Sequence, residues 1–253
     1  MPGKEGAVRA QSLLPLVLIV SLIACDDDDP TGPLAGGSTT QIRIVHASPQ
    51  APIMNAVLRG VVVAERLHYL DVSDYVGVEP DEHLFAFWQS GAPVQLGRTF
   101  LSVEPDQRYT ILAVDSFPAV LQVNGAVVIQ RRIGVAPLTL LDDPTAPPAG
   151  SARLRFVAAA PSTLVADVYI TAPNANINSA TPTFREMRFS SVATYITLAA
   201  GQYRVRVTSA DTKTVLLDVN PFPLSAGQVQ TAVMLDGPAG GAPAILMRLV
   251  EKP

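Results

Sequence analysis

A single cysteine, Cys25, in 253 residues leaves no partner for an intramolecular disulfide and no thiolate cluster for a metal. The three histidines, His46, His68 and His83, lie at no metal-ligand spacing, and no His-Glu-x-x-His is present. A P-loop, a dinucleotide fingerprint and a Gly-x-Ser-x-Gly elbow are absent too, so no cofactor is expected. Charged residues make up only 16% of the chain and the net charge is −4, which excludes a basic face for nucleic acid. Aromatics, at 6%, are sparse for a carbohydrate binder. No segment of the body shows a sustained, capped helical period, which argues against a helical fold.

What is present begins with the N-terminus. Lys4 and Arg9 against Glu5 give a short segment of net +1, followed by an apolar run from Leu13 to Ala24 broken only by Pro15 and Ser21. About a dozen residues is short of the roughly 20 that span a bilayer as a helix, and is the length of a secretion signal. Leu22-Ile23-Ala24-Cys25 closes the run and Asp26 to Asp29 follow at once. These residues resemble the lipobox of bacterial lipoproteins. The resemblance implies cleavage after Ala24 and a lipid on Cys25, with more than one acyl chain for stable anchoring. With Cys25 lipidated, the mature chain has no thiol left.

Removing a leader of +1 from a total of −4 leaves −5, and four of those charges are the Asp run. The run lacks the glycine and the closing glutamate of a calcium loop. With the Pro/Gly-rich stretch after it, it reads as an extended tether over residues 25–40. An acidic run there resembles a surface-export signal, which favours the outer membrane or cell surface over the inner membrane.

The body is one unit written twice. Ile42-Arg43-Ile44-Val45-His46-Ala47-Ser48-Pro49 recurs 112 residues later as Leu154-Arg155-Phe156-Val157-Ala158-Ala159-Ala160-Pro161. Asn55-Ala56-Val57 keeps that offset with Asp167-Val168-Tyr169. After an additional polar stretch, Thr171 to Pro182, the offset becomes about 120, so that Tyr75 meets Tyr195, Val78 meets Leu198 and Thr110 to Asp115 meet Thr231 to Asp236. The boundaries expected are a leader at 1–24, the tether, a first domain at 41–141, a linker at 142–151 and a second domain at 152–250.

Four turn patterns, at 78–82, 103–107, 198–202 and 224–228, carry Pro-Asp or Ala-Gly and then an acid or amide, with Asp or Gly placed to take the left-handed conformation. Each leads into an apolar or alternating run. Tyr203-Arg204-Val205-Arg206-Val207 has the period of a half-buried strand, while Leu84-Phe85-Ala86-Phe87-Trp88 is apolar on both faces and reads as a central or covered strand. Short strands with regular turn signals predict an all-β chain of two tandem immunoglobulin-like β-sandwiches. Leu198 to Tyr203 resembles the tyrosine corner of such sandwiches.

Arg43 to Pro49, Ser73-Asp74-Tyr75-Val76-Gly77-Val78, Asp167-Val168-Tyr169 and the linker from Asp142 to Gly150 together resemble the bacterial envelope domains of unknown function DUF4397, in tandem. The resemblance implies an envelope sandwich and no reaction. The second copy departs from it, with Ala158-Ala159-Ala160 where the first has His46-Ala47-Ser48.

His46 and Ser48 are the one pair that suggests a nucleophile, and a hydrolase there requires a carboxylate on His46. Trp88 with Phe85 and Phe87 makes a sugar platform if exposed and core if not. His83 aligns with Tyr203 and is expected at the edge of the core. The loop Gly237 to Gly241 follows a strand with no helix to cradle a phosphate. The function expected is a non-enzymatic envelope lipoprotein that displays two sandwiches for adhesion, scaffolding or protein interaction. The partners expected are the membrane, through Cys25, and an envelope protein or glycan. A glycan- or peptide-binding module is the alternative.

Overall fold

The computed structural model describes residues 40–116, 119–123, 126–130, 134–238 and 243–251. Residues 22–25, expected to be a lipobox, the Asp run and residues 239–241 of the glycine-rich loop lie outside them. The strands are β1 (Gln41–His46), β2 (Met54–Leu58), β3 (Val61–Leu67), β4 (Val76–Gly77), β5 (Asp81–Gln89), β6 (Gln95–Val103), β7 (Arg108–Asp115), β8 (Ala119–Val123), β9 (Ala126–Gln130) and β10 (Val135–Asp142). The second series is β11 (Ser151–Ala158), β12 (Val165–Thr171), β13 (Phe184–Arg188), β14 (Ile196–Ala199), β15 (Gly201–Ser209), β16 (Val215–Leu224), β17 (Val229–Asp236) and β18 (Pro243–Glu251). A 3₁₀ turn at Ile177–Ser179 is the one helical element among the described residues.

The chain is all-β and forms two sandwiches. The first pairs a sheet ordered β10-β7-β1-β4 with one ordered β3-β2-β5-β6, and the second pairs β14-β11-β17-β18 with β13-β12-β15-β16. Strands β8 and β9 form a separate two-stranded hairpin. The repeat is visible in register. Strand β1 runs parallel to β7 with Arg43 opposite Thr110, and β11 runs parallel to β17 with Arg155 opposite Thr231.

Each sandwich has its own core. Ile42, Ile44, Met54, Phe85, Phe87 and Ile111 fill the first, and Leu154, Phe156, Val168, Val205, Val207 and Phe222 the second. A third core lies between the sandwiches. Val45, Leu112, Val114 and Leu140 pack with Val157, Val233, Leu235 and Leu249. Strands β1, β7, β11 and β17 are therefore buried on both faces, which explains the unbroken apolar runs Ile111 to Val114 in β7 and Ala232 to Leu235 in β17.

Two of the four predicted turns carry the expected left-handed residue, Asp106 at φ 59° and Gly227 at φ 81°. The other two do not: Asp81 and Gly201 are the first residues of β5 and β15, where the ladder holds extended backbone. The corner motif is present. The Tyr203 hydroxyl donates to the Ala199 carbonyl at 2.8 Å. His83 Nε2 pairs with the Glu79 carbonyl at 2.7 Å, so the first sandwich builds the same corner from an imidazole.

Candidate functional site

Three regions concentrate chemistry-bearing side chains. The first is the pair read from sequence. His46 and Ser48 are both fully buried at the end of β1. His46 Nε2 faces the Pro52 carbonyl at 3.2 Å, and Nδ1 lies 3.4 Å from the Ser48 backbone N–H. The ring therefore carries its proton on Nε2, and burial pushes its pKa down. The required acid is present but on the wrong partner, because Ser48 Oγ donates to the carboxylate of Asp115 directly. Among the described residues no carboxylate bonds His46, so the hydrolase expectation fails on geometry. Ser162 Oγ donates to Asp236 in the second sandwich in the same way. A hydroxyl capping a carboxylate at the end of β7 and β17 is thus a repeated structural feature.

The second region is the outer face of β5 and its neighbours. The alternation along β5 sends Phe85 and Phe87 into the core, where their rings meet edge to face at 5.0 Å. Leu84, Ala86 and Trp88 point the other way. Strand β5 is central, as expected, but its outer face is open at Leu84 and partly at Trp88, with the small Ala86 buried between them. Leu84 lies opposite Phe100 of β6, and the two are 45% and 70% exposed. Val57 and Val62 extend the apolar strip across β2 and β3. Half-buried Trp88 lines an open groove of about 310 Å³ with Val57, Leu84 and Gln95. The predicted aromatic trio is therefore split, with two rings in the core and one at the surface.

The third region escaped the sequence reading. Between the sandwiches, Arg43 and Arg155 are buried beside Asp142 and Glu251. Arg155 donates through Nε to Thr231 at 2.7 Å and through Nη1 to the Leu141 carbonyl at 2.6 Å. Its Nη2 reaches Asp142 at 2.5 Å and Glu251 at 3.4 Å. Arg43 repeats part of this, with Nε to Thr110 at 2.7 Å and Nη1 to the Val250 carbonyl at 3.1 Å. Each arginine thus binds a main-chain carbonyl of the other sandwich. Tyr75 donates to Asp142 at 2.8 Å, and Tyr195 donates to Glu251 at 2.5 Å. Burial pushes both hydroxyls and the Glu251 carboxyl up. The offsets of 112 and about 120 relate Arg43 to Arg155, Tyr75 to Tyr195 and Thr110 to Thr231 but not Asp142 to Glu251, and the meeting of these residues across the interface needed the packing of the two halves.

The additional polar stretch is held down. Lys213 Nζ donates to the Ala180 carbonyl at 2.7 Å and to the Tyr169 hydroxyl at 3.0 Å. Arg206 Nη2 donates to the Ala175 carbonyl at 3.0 Å. Arg206 is therefore buried beneath the stretch, although the alternation of β15 puts it on the outer face. Among the described residues no cluster of three metal-ligating side chains forms.

Fold and site define a two-sandwich β protein welded through its central sheets. The domain of unknown function DUF4397 matches residues 40–169, half of the chain, and the protein belongs to that family. The match spans the first sandwich and continues into β11 and β12. No curated protein matches the chain. A solved structure of a carbohydrate-binding module, CBMbc of family CBM26 from Eubacterium rectale Amy13K in complex with maltoheptaose, is similar at 9% identity. The alignment covers 84% of this chain and 98% of that one, with a TM-score of 0.24, a likeness that carries no argument about ligand or site.

Proposed function

We propose that this protein is a non-enzymatic binding module of the bacterial cell envelope, held by lipid on Cys25 and displayed at the outer membrane or cell surface. The observation that carries the reading is the open strip of Trp88 and Leu84 on the central strand β5 and Phe100 beside them on β6. A Phe at 70% exposure on a regular sheet face forgoes most of the stabilisation, about 1.5–3 kcal/mol, that burying the ring brings. A contiguous strip of this kind is the mark of a docking surface. The occupant this favours is the apolar face of an envelope protein, because Leu84, Phe100 and Val62 expose large side chains that carry no polar group.

The groove beside Trp88 supports a second reading, glycan binding, since Gln95 supplies an amide next to an aromatic wall. The lipobox, leading into an acidic tether, supports the anchor.

The test for the docking surface is site-specific photo-crosslinking from position 100 in intact envelopes. One discrete adduct is expected, and it should disappear in Leu84→Ser with the crosslinker kept in place. Affinity electrophoresis in gels containing soluble glycans separates the alternatives. Retardation abolished by Trp88→Ala favours the glycan, and crosslinking without retardation favours the protein. An adduct insensitive to Leu84→Ser, together with no retardation in any gel, overturns the reading. For the anchor, metabolic labelling with an alkyne fatty acid should mark the wild type and not Cys25→Ser.

A further inference from the structure

The outer face of the β3-β2-β5-β6 sheet carries an acid and a base that find no partner within the same copy. The β5–β6 register places Glu82 opposite Ser102, Leu84 opposite Phe100 and Ala86 opposite Arg98. Strand alternation puts all six residues on that face, with the Leu84–Phe100 pair at its centre. Glu82 and Arg98 are exposed, and among the described residues neither side chain has a hydrogen bond or an ion pair. They stand at diagonal corners, four residues or about 13 Å apart along the strands, too far to bond each other.

The corresponding face of the second sandwich satisfies its charges internally. Arg204 on β15 bonds Asp218 on β16 through Nε at 2.8 Å and Nη2 at 2.5 Å. Arg206 is buried there and bonds the Ala175 carbonyl of the polar stretch. The first sandwich instead leaves an apolar pair open between an acid and a base. Such a patch is complementary to itself. A twofold axis lying in the face, through the Leu84–Phe100 pair, sets Arg98 of each copy against Glu82 of the other. The same axis brings the two apolar pairs together. Net charge does not oppose the approach. Of the −5 carried beyond residue 24, four charges lie in residues 26–29, which leaves the body at −1.

We propose that the occupant of this strip is a second copy of the chain, docked face to face through Leu84 and Phe100 and registered by two Arg98–Glu82 pairs. The proposal rests on the docking reading above and names its partner. The apolar pairs supply attraction, because Phe100 and Leu84 leave water on both copies at once. The charges supply register and specificity, since a copy shifted by two residues loses both ion pairs.

The experiment is photo-crosslinking from position 100 in intact envelopes, with two differently tagged full-length chains produced together. An adduct bearing both tags, at twice the mass of the chain, is expected. Arg98→Glu in both chains, or Glu82→Arg in both chains, sets like charges against each other at both corners. Each should lower the yield of the two-tag adduct at least about tenfold. Both positions are exposed, so each variant should unfold at the wild-type temperature. Arg98→Glu under one tag and Glu82→Arg under the other restore opposite charges at both corners, and the two-tag adduct should return. An adduct of another mass carrying a single tag overturns the second copy and leaves the docking surface standing, whereas no adduct of any kind overturns both. A two-tag adduct undiminished in the single variants, or not restored in the mixed pair, also overturns the proposal.

Discussion

Arg155 of the second sandwich and Asp142 of the first form a buried ion pair, Nη2 to Oδ1 at 2.5 Å, with side chains 4% and 2% exposed. The pair ties the last strand of one half to the first strand of the other. Asp142 falls within the stretch read from sequence as linker, yet it is the last residue of β10 and accepts three hydrogen bonds, from Tyr75, Thr110 and Arg155.

Asp142→Ala leaves Arg155, Thr110 and Tyr75 without that acceptor and should destabilise the body by about 3 kcal/mol, because a buried charge loses its partner. Urea unfolding midpoints measure this. Glu251 still reaches Arg155 at 3.4 Å, so the loss should stay at the lower end for buried pairs. A change under about 1 kcal/mol would show that the pair contributes little.

The apolar weld should matter as much. Leu112 is fully buried in the core between the sandwiches, away from either private core. Leu112→Ala is expected to cost about 2–5 kcal/mol. The unfolding of both halves should shift together, which probes placed in each sandwich would report. Two separated transitions with only the first displaced would mean that the halves are not coupled.

Gly97 faces the opposite edge of the first sandwich. A Cβ at this position would stand 1.8 Å from the Val135 carbonyl oxygen, and that neighbour is main chain that no rotamer change can relieve. Gly97→Ala must therefore push β6 from β10, and thermal denaturation should show a clear drop in midpoint. Gly91→Ala is the contrasting case, since it has open space around it and is strained only by its φ of 75°. A Gly97→Ala midpoint no lower than that of Gly91→Ala would place the clash in error.

The pH dependence has a definite sign at Asp115. Burial, and then the nearby charge of Asp236, push its carboxyl pKa up, against the Ser48 hydrogen bond that pulls it down. A raised folded-state pKa means stability that is fully present below the unfolded value of about 3.9 and lost as pH rises through the folded value. Asp115→Asn removes the titration. The wild-type midpoint minus the variant midpoint should therefore fall as pH rises above about 4. A difference that rises over that window would contradict the assignment.

Much of the fold was legible because strand periodicity and turn chemistry are local. The repeat of Arg43-Ile44-Val45 in Arg155-Phe156-Val157 predicted two like units, and Tyr203 predicted its corner. The site was less legible. Trp88 and Phe87 are neighbours in sequence, and only strand pairing with β2 and β6 put one in the core and the other in a groove. His46 and Ser48 suggested a catalytic pair, but the acid 67 residues away bonds the serine. Arg206 alternates as a surface residue and is buried because a distant polar stretch folds over it.

The chain itself determined the β class, the two copies and the single cysteine, since composition, period and spacing are written along it. Tertiary structure decided which faces stayed open and which charges met. Residues at the same repeat position, Arg43 and Arg155, ended in different environments because packing two similar halves together let Asp142 bond to one arginine and not the other. That choice rests on the difference between 2.5 Å from Asp142 to Arg155 and 3.9 Å from Asp142 to Arg43, set by side-chain packing, and no local pattern encodes it.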